Sequence, residues 1–402
     1  MRILFVTYRF FPQIFGGEQK AAFEMAKYLV FHGHEVEVWT FNAFIGNRRI
    51  PWREKYLLRN RIHVVYFDSV LDLSSNITNA LSLFKIASIY HYAIKKLNTF
   101  DIIHIHGYRN PLGQLIAHIA IKEGLPYIVT LHGSFPRRSK KFLKIIQDAF
   151  LGYRMLHRAT RIFAISSLEK YILIKSGFRS SKIKIIPIGI DVVEYQKKIS
   201  VIKKGFLKEK INANPDTKII LYLGRLHPLK GVKFIVSGFK ELLKRKDDYP
   251  NLLLVLAGPG KDYFKKITKN LEPKIREKII YIGTLTETEK LQALMDADLV
   301  IYPEKFNVYG IVPLEAAFCK TPVIVSRSNY VYRIVKKGKF GLGITYGDID
   351  DLIDKITKIL SNDKLRKKLG ENGYQYVLKY LNWERIIKKM EMEYMDIVSS
   401  RI

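Results

Sequence analysis

Short apolar runs alternate along this chain with longer stretches in which apolar residues recur every three to four positions. The runs are rich in Ile and Val and do not alternate strictly with polar residues, which is typical of parallel strands buried on both faces. The pattern therefore predicts an α/β protein whose parallel sheets are covered by helices. Predicted strands lie near residues 3–7, 36–41, 63–67, 101–105, 127–131, 162–165 and 183–186, and then near 218–222, 252–257, 279–282, 299–302 and 323–325.

A polar segment separates these strands into two groups and predicts two Rossmann-like, doubly wound domains. Pro187 and Gly189 precede a Lys-rich stretch that has no strand period and runs to about residue 218. We place the domains at residues 1–192 and 193–382. A last predicted helix begins near residue 383 and follows no strand of its own, so we expect residues 383–402 to return to the first domain.

The number of cysteines and the hydropathy of the chain exclude several classes of protein. The single cysteine, Cys319, excludes an internal disulfide framework and a cysteine-based metal site. The apolar run at the N-terminus is too short for a signal peptide, and residues 77–97 contain Lys, His and Asn that disfavour a spanning helix. We expect a cytoplasmic protein without a transmembrane segment.

The chain is strongly basic, with 68 Lys and Arg against 37 Asp and Glu, a net charge of +31 spread over both halves. Such a charge attracts polyanions, although composition alone can also produce it. A basic polyanion-binding protein is therefore one alternative. No nucleic-acid-binding module is recognisable and the aromatic residues are scattered, so we expect no nucleic acid partner.

Unusual residues follow several predicted strands of the first half, at the edge where doubly wound sheets bind ligands. Gly16 and Gly17 open a helix, where backbone N–H groups are available to an anion. His104 and His106 end one strand, and His132 follows the next. Histidine can bind sugar hydroxyls or stabilise developing charge, and we favour His132 for that role. A metal pair at positions 104 and 106 lacks a third ligand of clear spacing.

The second half has cations and a carboxylate at corresponding places. Arg225 follows a strand and Lys230 precedes a helix, an arrangement suited to a diphosphate. Glu315 lies about one turn into a helix that begins after Gly310, where it can accept hydrogen bonds from ribose hydroxyls. Asp296 and Asp298 flank a helix end and a strand start, which we interpret as capping or solvation. We predict no divalent cation and no other cofactor.

In combination these motifs resemble the retaining family 4 glycosyltransferases, also called glycosyl transferases group 1. The resemblance covers nearly the whole chain and rests on the Gly-Gly pair, on residues 224–226 with 230–231, on 310–316, and on 164–167 with 184–191. It implies the GT-B fold, in which two Rossmann-like domains face a central cleft. It also implies transfer of a hexose-type sugar from a nucleotide-diphosphate donor to a saccharide or lipid-linked acceptor.

The resemblance assigns roles to individual residues. Arg225 and Lys230 would bind the diphosphate and stabilise the leaving nucleotide in place of a metal ion. His132 would contact the transferred sugar near the reacting carbon, and Glu315 would hold the ribose. The remaining donor contacts would come from Gly16, Gly17, Asn307, Gly310, Ile311 and Val312.

One position departs from the family pattern. The family has two glutamates separated by seven residues, and the first of them corresponds here to Asn307. Glu304 is near but out of register. An amide can bind sugar hydroxyls but cannot act as a carboxylate nucleophile, so front-face displacement is the expected course if the enzyme retains configuration. A catalytically weak nucleotide-sugar-binding homologue is the other alternative.

A basic and aromatic segment suggests a membrane surface. Cations and apolar residues alternate here at helical spacing, so the segment could rest on anionic lipid, or it could be a domain helix with a solvated basic face. We expect peripheral attachment to the membrane through the cations Arg137, Arg138, Lys140, Lys141 and Lys144.

Overall fold

The computed structural model describes residues 1–10, 16–42, 44–45, 48–49, 54–57, 61–68, 78–135, 152–202, 204–245 and 251–400. The chain divides into two compact units, the first made of Met1–Gly189 and Trp383–Ile402 and the second of Ile190–Asn382. Each unit contains one large sheet, with helices between most of its successive parallel strands. The predicted α/β architecture is confirmed.

The sheet of the first unit is parallel except at one edge. Its described strands are β1 (Arg2–Thr7), β2 (Glu35–Phe41), β3 (Phe44–Ile45), β4 (Arg48–Arg49), β5 (Glu54–Leu57), β6 (Ile62–Phe67), β7 (Ile102–His106), β8 (Tyr127–Thr130), β9 (Arg161–Ala164) and β10 (Ile183–Ile185). The sheet order is β10-β9-β8-β7-β1-β2-β6-β5, with β5 antiparallel to β6, while β3 and β4 pair only with each other. The described helices before residue 190 are α1 (Gly17–Phe31), α2 (Thr78–Lys96), α3 (Pro111–Lys122), α4 (Tyr153–Arg158) and α5 (Ser167–Lys175).

The sheet of the second unit is parallel throughout. Its strands are β11 (Lys218–Leu223), β12 (Leu252–Ala257), β13 (Ile279–Gly283), β14 (Leu299–Tyr302), β15 (Val323–Ser326) and β16 (Gly341–Ile344), in the order β13-β12-β11-β14-β15-β16. The helices are α6 (Val192–Val201), α7 (Phe206–Lys210), α8 (Val232–Arg245), α9 (Lys261–Thr268), α10 (Pro273–Arg276), α11 (Glu287–Asp296), α12 (Ile311–Phe318), α13 (Val331–Gly338), α14 (Ile349–Leu360) and α15 (Asp363–Tyr380).

The strands are apolar because helices cover both faces of each sheet. Every residue of β7, β8, β14 and β15 is buried, and continuous apolar sequence is what this environment selects. Parallel pairing brings the carboxyl ends of β1, β7 and β8 to one edge of the first sheet. It brings the ends of β11 and β14 to one edge of the second. The candidate residues follow these strand ends.

A last helix, α16 (Trp383–Ser399), belongs to the first unit. It buries Trp383, Met390 and Tyr394. Its Glu391 accepts hydrogen bonds from His32 at 2.9 Å and from His34 at 2.8 Å. The C-terminal residues thus complete the core of the unit that the N-terminal residues begin. Across the ranges given above, no helix is both long and apolar enough to cross a membrane.

Candidate active site

The loop after β11 presents Arg225 on a backbone that its neighbours fix. The Gly224 N–H donates to the Ala257 carbonyl at 2.9 Å, and the Leu226 N–H donates to the Pro259 carbonyl at 2.8 Å. The Tyr222 hydroxyl donates to the carbonyl of Arg225 itself at 2.9 Å. The Arg225 side chain is exposed, so a rigid loop carries a guanidinium toward solvent at the carboxyl end of the sheet.

Gly258 allows this loop to lie close to the end of β12. Its φ of +130° is rare for L residues, and a Cβ at this position would lie 2.1 Å from the Gly224 carbonyl oxygen. Any larger residue would push the Gly224 carbonyl group, directly before Arg225, out of place.

We expect Gly258→Ala to destabilise the second unit by at least about 3 kcal/mol, since it adds a backbone clash to backbone strain. Gly347→Ala is the matched control because its φ is +94° but nothing lies within 4 Å of the added Cβ. The control should lose about 1 kcal/mol. Thermal and urea unfolding measure both, and equal losses would show that the clash is relieved at little cost.

Lys230 lies at the end of a short 3₁₀ turn, Pro228–Lys230, directly before the glycine that precedes α8. Its ammonium nitrogen is 2.6 Å from Oε1 of Glu304, and its side chain is 28% exposed against 6% for that of Glu304. Sequence reasoning set Glu304 aside as out of register. The structure instead brings its carboxylate to the predicted diphosphate cation.

The loop after β14 is organised around the Glu304 carboxylate. The Tyr302 hydroxyl donates to Oε2 of Glu304 at 2.6 Å, and the Asn307 amide nitrogen donates to the same oxygen at 3.0 Å. The Asn307 amide also donates to the Tyr302 oxygen at 3.0 Å, while its Oδ1 accepts from the Tyr309 N–H at 3.3 Å. Burial and the neighbouring carboxylate raise the pKa of Tyr302 well above its ordinary value. The hydroxyl group therefore stays protonated and can donate its hydrogen bond to Glu304. Asn307 therefore orders this loop.

Gly310, Ile311 and Val312 form the start of α12. Gly310 is the N-cap, and it has no side chain that could cap the first N–H groups of the helix. The first N–H groups of a helix attract anions through their partial positive charge. Ile311 and Val312 are partly exposed, as a donor contact through the backbone requires.

Glu315 is buried in α12 and paired with two residues that sequence reasoning missed. Its Oε1 accepts from the Tyr195 hydroxyl at 2.8 Å and from the Lys290 ammonium at 2.7 Å. Lys290 neutralises the carboxylate, and both contacts fix its orientation. Neither partner has a sequence signal, because they lie 120 and 25 residues away from Glu315.

Three histidines lie together at the carboxyl edge of the first sheet. Nδ1 of His106 is 3.0 Å from Nε2 of His132. His104 uses both ring nitrogens, one with the Tyr394 hydroxyl and one with the Thr130 hydroxyl, each at 2.6 Å. His104 is therefore not available as a metal ligand, which disfavours the metal pair considered from sequence.

All three rings are neutral near pH 7. Burial lowers the pKa of His132 to about 3, and burial together with the neighbouring histidines lowers the pKa of His104 and of His106 well below the ordinary range. Within the described part of the chain, Nδ1 of His132 and Nε2 of His106 have no hydrogen-bond partner. A neutral ring with an unused nitrogen can bind a hydroxyl group without carrying charge.

A buried carboxyl group, Glu169, holds the backbone beside His132. Its oxygens accept from the Gly133 N–H at 2.7 Å and the Ile165 N–H at 2.8 Å. Burial raises its pKa to about 7, against the effect of these two bonds. His132 itself adopts φ +50°, an uncommon conformation for a residue other than glycine. The Ser-x-x-Glu spacing from Ser166, a helix-capping pattern, is the signal that could have identified Glu169.

The structure describes some of the remaining predicted residues and not others. Gly16 and Gly17 are exposed at the N-terminus of α1. Asp296 accepts from the backbone N–H groups of Gly205 and Leu207 at 2.8 Å each, so its carboxylate caps α7. The cations Arg137, Arg138, Lys140, Lys141 and Lys144 lie outside the described residues.

Related sequences show similarity along most of the chain. An uncharacterised glycosyltransferase of Methanocaldococcus jannaschii is 25% identical over 97% of this chain and 96% of its own length. The N-acetyl-alpha-D-glucosaminyl L-malate synthase of Bacillus anthracis is 23% identical over 96% of each chain.

Solved structures show the same fold. Sucrose-phosphate synthase from Thermosynechococcus elongatus aligns with a TM-score of 0.79 over 99% of both chains at 18% identity. Anabaena HepE, solved in complex with UDP, aligns with a TM-score of 0.73 over 98% of this chain and 100% of its own at 18% identity. The GT-B expectation is confirmed by these alignments.

Family models identify both halves of the chain. The model for Glycosyltransferase Family 4 matches residues 15–194, and the model for Glycosyl transferases group 1 matches residues 203–376. The matches follow one another and leave only short segments uncovered. The chain belongs to the family 4 glycosyltransferases and has their GT-B fold.

Proposed function

We propose that this chain transfers a hexose-type sugar from a nucleoside diphosphate donor to a hydroxyl group of a saccharide or lipid-linked acceptor, without a divalent cation and with retention of configuration. The observation that carries the proposal is the pair of cations at the carboxyl edge of the second sheet. Arg225 is exposed on a fixed loop, and Lys230 is held by Glu304. Fixed cations can stabilise the charge that develops on a departing diphosphate.

Other residues support parts of this function. The uncapped start of α12 suits a phosphate or hydroxyl group, and the oriented carboxylate of Glu315 suits a ribose. In the first unit, His132 offers a neutral ring for a sugar hydroxyl. Asn307 carries no carboxylate, and that of Glu304 is occupied by Lys230, Tyr302 and Asn307. The acceptor oxygen would therefore attack the sugar carbon on the face from which the diphosphate leaves.

Peripheral attachment to the membrane stays a prediction. It rests on the cations of the segment that includes Arg137 and Lys144, which lies outside the described residues. The acceptor class rests on sequence resemblance.

Incubation with a panel of UDP-, GDP- and ADP-sugars in the presence of EDTA tests the proposal. We expect hydrolysis of, or transfer from, one donor at a rate that added Mg²⁺ changes less than about two-fold, because no step uses a metal ion. Loss of the rate in EDTA and its recovery with Mg²⁺ would refute metal independence. No binding of any donor would favour the polyanion-binding alternative.

A further inference from the structure

The buried carboxylate of Glu304 contacts three functional groups of the second unit. Glu304 is 4% exposed. Its Oε1 accepts from Lys230, and its Oε2 accepts from Tyr302 and Asn307. A charged side chain is kept buried only where its partners compensate for lost hydration. Here the compensating cation is the one assigned to the donor diphosphate.

The contact leaves Lys230 able to bind a ligand. An ammonium group has three N–H donors, and its contact with Glu304 uses one of them. The Lys230 side chain remains 28% exposed, so further donors can reach an anion from solvent. A lysine side chain is flexible, and a fixed carboxylate at 2.6 Å restricts the positions that its ammonium group takes.

We propose that Glu304 is a positioning residue that fixes Lys230 for the leaving diphosphate, and that Glu304 and Asn307 act as a carboxylate-amide pair whose members can be exchanged. This inference rests on the proposed function. The Asn307 amide contacts one oxygen of the Glu304 carboxylate at 3.0 Å and Lys230 contacts the other at 2.6 Å, so the proposal is that a carboxylate at position 307 can take over the contact with the same cation. One carboxylate and one amide satisfy the network, whereas two carboxylates would repel and two amides would leave Lys230 without its anion.

The proposal predicts opposite effects on binding and on turnover. Glu304→Gln removes a negative charge beside Lys230, so affinity for the nucleoside diphosphate should stay equal or increase. Turnover should fall at least ten-fold, because the ammonium group is no longer held where charge develops. A merely structural role would lower affinity and turnover together. Glu277→Gln is the control, since it makes the same change at an exposed carboxylate just before the amino end of β13; its kcat should stay within about two-fold.

The decisive experiment is a double-mutant cycle that measures kcat, KM and the Kd of the nucleoside diphosphate. Glu304→Gln and Asn307→Glu should each lose at least ten-fold in kcat, and the double variant should recover to within about five-fold of the unmodified chain. The double variant also keeps the test open if one single variant does not fold. Two results would overturn the inference and leave the proposed function standing. One is a kcat of Glu304→Gln equal to that of the unmodified chain, and the other is a double variant whose kcat is no higher than that of the slower single variant. An unmodified chain that turns over no donor would overturn the proposed function as well.

Discussion

Replacing Arg225 by Ala lowers kcat/KM for the nucleotide sugar by about 10²- to 10³-fold in our expectation, and Lys230→Ala has an effect of the same order. Both cations lie where the diphosphate is proposed to depart, and each replacement leaves only one of the two to stabilise its charge. The loop around Arg225 is held by backbone bonds and by Tyr222, so removal of the side chain should not unfold it. Initial rates with the donor identified from the panel measure the loss.

Two exposed cations of the same unit, Lys269 and Arg276, provide the controls. Lys269→Ala and Arg276→Ala remove the same charges away from the strand ends and should leave kcat/KM within about two-fold, as expected for exposed surface charges. Arg225→Lys should recover only part of the rate, because an ammonium group cannot form the paired bonds of a guanidinium. Equal losses in all alanine variants would mean that net charge, and not position, attracts the donor.

His132→Ala should lower kcat by about 10²-fold, whereas His132→Asn should lose about ten-fold. Asparagine tolerates the φ of +50° at this position and has a side chain that can form hydrogen bonds. Alanine is strained at this φ and has no hydrogen-bonding group in its side chain. Burial lowers the pKa of His132 to about 3, so the ring is neutral throughout the range from pH 5 to 8. The pH profiles of the unmodified chain and of His132→Asn should therefore have the same shape in this range.

Ring nitrogen chemical shifts provide a direct check of that protonation state. The signals of His132 should remain those of a neutral imidazole down to pH 5. A protonated ring near pH 6, together with a step in the rate profile that His132→Asn removes, would instead make His132 an acid-base group. The size of the His132→Ala effect would then need a different explanation.

Helices and strands were predictable where the pattern of apolar residues in the sequence matches the burial of the element in the fold. The strand β12 is a continuous apolar run of strand length, and the predicted residues 252–257 match it. The strand β16 was missed because two of its four residues are glycine, which has low strand propensity. The structure supplies the reason for Gly341: a Cβ there would lie 2.1 Å from the Val323 carbonyl oxygen of the neighbouring strand.

The residues of the site that could be predicted are those that follow a strand. Arg225, Lys230 and His132 were found because they follow strands, and parallel pairing fixes where strands end. Glu304 was rejected on spacing along the chain, but the loop folds back and brings it to Lys230. Lys290 contacts Glu315, 25 residues away, and the capping pattern at Ser166 does not reveal that Glu169 also binds the Gly133 N–H, 36 residues away. Distances of that kind depend on tertiary packing, which local sequence patterns do not encode.

The return of α16 to the first unit sets an order for folding during synthesis on the ribosome. The second unit, Ile190–Asn382, is uninterrupted in sequence and can fold as soon as its own residues have emerged. The first unit cannot, because His104 receives its Tyr394 partner from 290 residues downstream and His32 receives Glu391 from 359 residues downstream. A nascent chain therefore carries a finished C-terminal unit beside an N-terminal unit with an uncovered apolar face. Translation that stops before Trp383 would leave that face open to chaperones and proteases.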